Sequence, residues 1–357
     1  MDGNTIKSDR LNYNVALRLW LIILFILVFI MIIVGGLTRL TDSGLSIVEW
    51  APISGVIPPV TELDWQEEFN KYKKIPEYIL VNNQISLAEF KFIYWWEWSH
   101  RQLGRLIGMV WIVGLLLLIF YKRIPEFWTF KLVFLGVLGG IQGFIGWWMV
   151  SSGLKDSMVD VASYRLAIHL GIAFSILGLI FWLILKSYKS PKEIILSKRY
   201  RDVKMYWFAN ILLVCLLCQI CLGALVAGID AGNSYNDWPF MGGQVIPEDY
   251  LFFSPIWINL LDNPAAVQFN HRILGYVILF LSFFCWFLSL KRPLVSVKKK
   301  FQIVLLVVFI QVVLGVLTLV QYSPIELAIF HQITGVILFV STVSARFETA
   351  YPSFQKS

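Results

Sequence analysis

Eight apolar stretches, each close to the ~20 residues that a helix needs to cross a bilayer, recur along this sequence at 16–37, 102–121, 128–150, 166–186, 205–229, 273–290, 301–321 and 329–344. In lipid, every backbone N–H and C=O must find its partner inside the structure, so segments of this kind fold as helices. Of the 357 residues, 58% are hydrophobic and 15% charged, and the mean hydropathy is +0.70, too apolar for a soluble protein. The expected fold is an all-α integral membrane protein with eight transmembrane helices.

Lys and Arg are retained on the cytoplasmic side and so set the orientation. Lys7, Arg10 and Arg18 precede or open the first span, and Lys122, Arg123 and Lys131 lie between the second and third. The next even connection carries Lys186, Lys189, Lys192, Lys198, Arg199, Arg201 and Lys204, and the one after it Lys291, Arg292, Lys298, Lys299 and Lys300. By contrast, 229–270 holds Asp230, Asp237, Glu248, Asp249 and Asp262 and no Lys or Arg. Both termini are therefore predicted to be cytoplasmic. The net charge of +7 belongs to the inner loops and points to anionic lipid headgroups, not to nucleic acid. The first span lacks a small-residue cleavage site and is expected to stay as an anchor.

The halves echo one another. EWSHRQLGRLIG resembles QFNHRILGYVIL at an offset of 171, and YRLAIHLGIAF resembles ELAIFHQITGV at 162. Gln142-x-x-x-Gly146 pairs with Gln311-x-x-x-Gly315, and VGGLT at Val34 with VAGID at Val226. Two pseudo-repeated four-helix bundles follow, 1–195 and 196–357, joined through the basic stretch 186–204. An even number of spans per half gives both the same orientation. The first outer connection, 38–99, is the longest, with an interfacial helix expected at 62–72. Tyr94, Trp95, Trp96 and Trp98 read as an interfacial aromatic belt or as part of a ligand pocket.

Only four histidines occur, His100, His169, His271 and His331, one near the same end of each even span. A single intramembrane His next to a small residue reads as hydrogen-bonded packing, but an ionisable group at this depth is costly and usually functional. Four of four at equal depth, duplicated, point to two bis-His metal sites. One turn further on the same face stand Gly104, Ala173, Gly275 and Gly335, leaving room for a flat group. Haem fits that layout. Structural zinc would want four ligands, and no Cys lies at this depth. Cys215, Cys218, Cys221 and Cys285 all fall inside spans and read as packing residues.

Glu97 is three residues before His100, whereas Gln268 holds the matching place before His271. A carboxylate there can exchange protons and an amide cannot, which would make the first site reactive and the second electron-transferring. An equally open reading leaves Glu97 solvated at the interface. Arg165, one turn before His169, is the best candidate for an anionic side group of the cofactor. Arg101 and Arg272 read as snorkelling side chains, and Arg39 as reaching water or a carboxylate.

GGLTRLTDSGLSIVEWAPISGVIPP, FIYWWEWSHRQLGRLIG, VAGIDAGNSYNDWPFMGG, NHRILGY and FHQITG, in this order over nearly the whole chain, resemble the haem A synthase family, in its proteobacterial and mitochondrial branch, which lacks a cysteine pair in the outer loops. The resemblance implies oxidation of a ring methyl of haem O to a formyl group by successive hydroxylations, giving haem A for terminal oxidases. It implies that His100 and His169 bracket the iron of the substrate haem, that Glu97 is catalytic, and that His271 and His331 hold haem b as cofactor. The haem O-producing enzyme and a separate redox partner are its implied neighbours, and a bacterial cell inner membrane its implied location. A two-haem electron carrier or a haem transporter, neither of which alters the porphyrin, is the alternative.

Overall fold

The computed structural model describes residues 3–125, 127–154 and 158–353, with side chains from residue 15 on. The side chains of Lys7 and Arg10, used above for orientation, lie outside the described residues. Among the described residues, eight helices are long and apolar enough to span a membrane, as the sequence predicts: α1 (Gly3–Leu40), α4 (Leu87–Phe120), α5 (Thr129–Gly153), α6 (Ser163–Ser187), α8 (Val203–Gly228), α9 (Pro264–Leu290), α10 (Val295–Val320) and α11 (Ile325–Ala350). Three short ones, α2 (Glu62–Tyr72), α3 (Pro76–Leu80) and α7 (Pro191–Arg199), lie in the connections.

The starts and ends of these helices are local. Thr61, Ser86 and Ser190 each accept from the backbone N–H three residues on, while the acidic residue there reaches back, so α2, α4 and α7 open on reciprocal caps. Asp202 caps α8, and Asn263 followed by Pro264 opens α9. The cap at Ser86 starts α4 well ahead of the predicted boundary at 102. Its first turns are too aromatic and polar to count as apolar, yet they are helical. Its 34 residues extend about 51 Å against a hydrocarbon core of ~30 Å, so α4 stands well clear of the bilayer.

That protruding part has its own core. Trp65, Phe69 and Tyr72 on one face of α2 pack with Phe90 and Tyr94 of α4, together with Leu45, Ile47, Ile75 and Val161. The helix predicted at 62–72 thus has the expected bounds, but its apolar face is spent on α4. Tyr94, placed in an aromatic belt above, is buried against Trp65 with ring centroids 5.0 Å apart. Trp95 does stay exposed.

Within the membrane, α1 packs on α4 and α6, α5 on α6, and α4 touches α5; α8 packs on α9 and α11, and α10 on both of these. The two circuits meet where α6 lies against α8 and α11, and α1 against α11. Lipid tails are as apolar as leucine, so these contacts rest on close fit and on interhelical hydrogen bonds. Gly36 lets Gln332 of α11 reach across and donate to the Ile32 carbonyl at 2.6 Å. Gly178 admits Phe339, whose ring meets Phe174 edge-on. Cys221 sits against Gly171, a packing role, and Cys285 is fully buried, while Cys218 is exposed.

Candidate functional site

Each of the four histidines lies on a helix that follows a span in the chain, and each imidazole rests on a glycine of that preceding span. A Cβ added to Gly35 of α1 would stand 2.9 Å from Cε1 of His100; the same distance is 3.0 Å for Gly146 and His169, 3.2 Å for Gly223 and His271, and 2.9 Å for Gly315 and His331. No larger residue fits without moving the ring. His100 of α4 and His169 of α6 belong to one circuit of helices, and His271 of α9 and His331 of α11 to the other, which gives two pairs.

These glycine seats were only partly visible beforehand. The Gln142–Gly146 and Gln311–Gly315 echoes were legible, but not what they face. The third instance is Gln219-x-x-x-Gly223, whose register differs from the one that VGGLT and VAGID suggest. The packing matches Gly35 with Gly223, one helical turn from the expected match of Val34 with Val226. The three glycines predicted one turn beyond the histidines, Gly104, Gly275 and Gly335, lie over the residue four before the seat. A Cβ on Gly104 would be 3.5 Å from Met31 Cε, and one on Gly275 or Gly335 would be 3.4 Å from the amide nitrogen of Gln219 or Gln311.

The glutamines touch the rings. Gln142 Nε2 lies 3.2 Å from His169 Nδ1 and donates to the His169 carbonyl at 3.0 Å. Gln219 Nε2 lies 3.3 Å from His271 Nε2 and donates to its carbonyl at 2.9 Å. Gln311 Nε2 lies 3.3 and 3.2 Å from the two ring nitrogens of His331. Buried polar atoms ordinarily have partners. Here the Oε1 atoms of Gln142, Gln219 and Gln311 and the Nδ1 atoms of His100 and His271 are buried with none among the described residues. Paired imidazoles, glycine seats and orphaned polar atoms at both pairs fit a planar metal macrocycle that takes axial imidazole ligands.

Glu97 is not solvated. It is 3% exposed, and both of its oxygens are occupied. Ser46 Oγ and the Ile47 N–H donate to Oε2, each at 2.8 Å, and Arg101 donates to Oε1 through Nη2 at 2.6 Å and Nε at 3.1 Å. Arg101, expected to snorkel, also binds the carbonyls of Ile47 and Glu49. Gln102 and Arg105 hold the carbonyls of Ala51, Pro52, Gly55 and Val56, so the connection after α1 is tied along the His100 turn of α4.

The second half repeats this latch with the polarity changed. Gln268 donates to the carbonyls of Ala231 and Tyr235, and Arg272, also expected to snorkel, donates to those of Tyr235, Asp237 and Phe240 and to Gln268 Oε1. A carboxylate only accepts, so Glu97 faces an N–H and a hydroxyl; an amide also donates, so Gln268 faces carbonyls.

Arg165 is turned to its own surroundings. Its Nη1 donates to the Trp148 carbonyl at 2.6 Å, its Nε to the Tyr164 hydroxyl, and its guanidinium stacks 4.3 Å over the Trp148 ring. Arg39 reaches carboxylates, as one of its two readings had it: Asp42 at 2.6 Å, Asp230 at 3.0 Å and Asp160 at 3.5 Å. Nearby, burial and the charges of Asp160, Glu97 and Asp42 push the Glu77 carboxyl up to about 8. Burial also raises Asp160, against the pull of Arg39.

Residues 18–343 match the COX15-CtaA family model, described as cytochrome oxidase assembly protein. A heme A synthase of Dinoroseobacter shibae is 51% identical over 97% of this chain and 90% of its own length. Those of Roseobacter denitrificans and Paracoccus denitrificans are 49% and 46% identical, over 94% and 98% of this chain and 89% and 92% of their own.

Proposed function

The chain belongs to the cytochrome oxidase assembly protein family that the COX15-CtaA model describes, and from that premise we propose that it is a haem A synthase, an oxidoreductase acting on a CH group of haem O. The observation that carries this reading is the set of four imidazoles, two in each circuit of helices and each seated on a glycine of the neighbouring span. Substrate haem O would lie between His100 and His169, where a ring methyl is oxidised to the formyl group. Haem b would be held by His271 and His331 and supplies one-electron transfer to or from an outside redox partner. Two four-helix bundles, 1–195 and 196–357, would carry one site each. By the Lys and Arg count, the histidine ends face away from the cytoplasm, in a bacterial inner membrane.

The polar residues then have distinct tasks. Glu97 and Arg101 clamp residues 46–49 beside the first pair, and Gln268 and Arg272 clamp residues 231–240 beside the second. The fixed carboxylate sits only at the site where chemistry occurs. Its charge, held by four donors, and its hold on the connection both bear on the reacting methyl, which is how we assign Glu97 its catalytic importance. Arg165 fixes the end of α5 to α6 by its bond to Trp148, and so positions Gly146 under His169.

Reconstitution of the purified chain with haem O and a redox partner, followed by chromatography and mass measurement of the extracted haems, tests the reading. A hydroxymethyl or formyl product is expected. Unchanged haem O beside haem b would instead support a carrier or transporter.

A further inference from the structure

One position of the seats sets His100 apart from the other three histidines. The residue four before the seat glycine is Gln142, Gln219 and Gln311 for His169, His271 and His331, but Met31 for His100. The three amides sit 3.2–3.3 Å from ring nitrogens. Met31 offers a methyl in the same place, so His100 has no amide beside its ring; its Nδ1 is buried without a partner, as is that of His271, whose amide stands at Nε2 instead. Building on the haem reading above, we propose that Met31 makes His100 the displaceable ligand of the substrate site, while His169 and both histidines of the second site are held fast.

An imidazole that ligates iron through one nitrogen carries its proton on the other, and a partner for that N–H fixes the ring and strengthens the ligand. Gln142 and Gln219 are fastened by Nε2 to the carbonyls of their own histidines and hold the ring by standing against it, and Gln311, which has no such tie, can turn its buried Oε1 to the ring N–H. A thioether is at best a weak acceptor on a flexible chain, so His100 lacks this support. Losing such a partner typically costs roughly 10–100-fold in metal affinity. The asymmetry falls where the proposed roles want it. Electron transfer is served by two fixed ligands, whereas oxidation of the substrate is served by one that can leave.

The test uses the full-length, haem-loaded protein in detergent, reduced, with carbon monoxide as the probe and absorbance as the readout. Wild-type protein should bind carbon monoxide at the first-site haem only. Met31→Gln should weaken that binding roughly 10–100-fold, and Gln311→Met should make the second haem reactive toward it. His100→Ala should keep haem in the first site, whereas His169→Ala should lose it. Carbon monoxide affinity within about twofold of wild type in Met31→Gln, together with an unreactive second haem in Gln311→Met, overturns the proposal. If neither His100→Ala nor His169→Ala changes haem content or spectrum, the haem-ligand reading itself falls, and the proposal with it.

Discussion

At the scale of the residue, Glu97 shows how one carboxylate can be committed by its neighbours. With Ser46, the Ile47 N–H and Arg101 all donating to it, changing it to an amide puts a donor where two donors already point. Glu97→Gln should retain haem at both sites and slow formyl formation roughly 10²-fold, the scale of a small misplacement, as read from the haems extracted after turnover. Gly315 allows an equally local test. A methyl there meets His331 at 2.9 Å, whereas one on Gly139 meets nothing within 4 Å. Gly315→Ala should lower haem occupancy at the second site roughly 10-fold with Gly139→Ala unaffected, measured as haem per protein. The identity of the histidines was legible in the sequence from their number and depth. The seats were not, because the glycine that an imidazole touches belongs to another helix.

Among the elements, α4 does two jobs along one axis. Its membrane part carries His100, and its outer turns close an aromatic core with α2 that orders the connection clamped by Glu97 and Arg101. Glu77 lies on α3 at the edge of this cap, buried, with Oε2 lacking a partner among the described residues. The folded protein keeps a proton on it up to about pH 8, whereas the unfolded chain releases it near 4.5. The stability it contributes is therefore fully present below pH 4.5 and is lost as the pH rises toward 8. Glu77→Gln should flatten that part of the pH dependence of thermal unfolding; an unchanged slope would show that Glu77 is ionised in the fold. The helix expected at 62–72 is α2, although the sequence did not show that its apolar face packs on α4. The outer turns of α4 were missed because hydropathy measures fitness for lipid, and those turns are helical without being in it.

For the whole molecule, an ion-pair cluster spans the join between the two circuits of helices. Arg39, at the end of α1, binds Asp230 at the end of α8 as well as Asp42 and Asp160, and its side chain is 12% exposed while the carboxylates are 42–70% exposed. Arg39→Ala would leave three carboxylates facing one another. It should cost about 2 kcal/mol, between an exposed and a fully buried pair, seen as a lower midpoint of thermal inactivation in detergent that added salt partly restores. Eight spans, the four histidines as candidate ligands and the family to which the chain belongs were all legible in the sequence, because lipid enforces helices and because those motifs are contiguous. Only tertiary structure decided that Arg101 and Arg272 clamp loop carbonyls, that Gly35 answers to Gly223, and that His100 lacks the amide given to the other three rings. Each of those facts is a contact between segments dozens of residues apart, and helix-to-helix register sets it, which no single segment encodes.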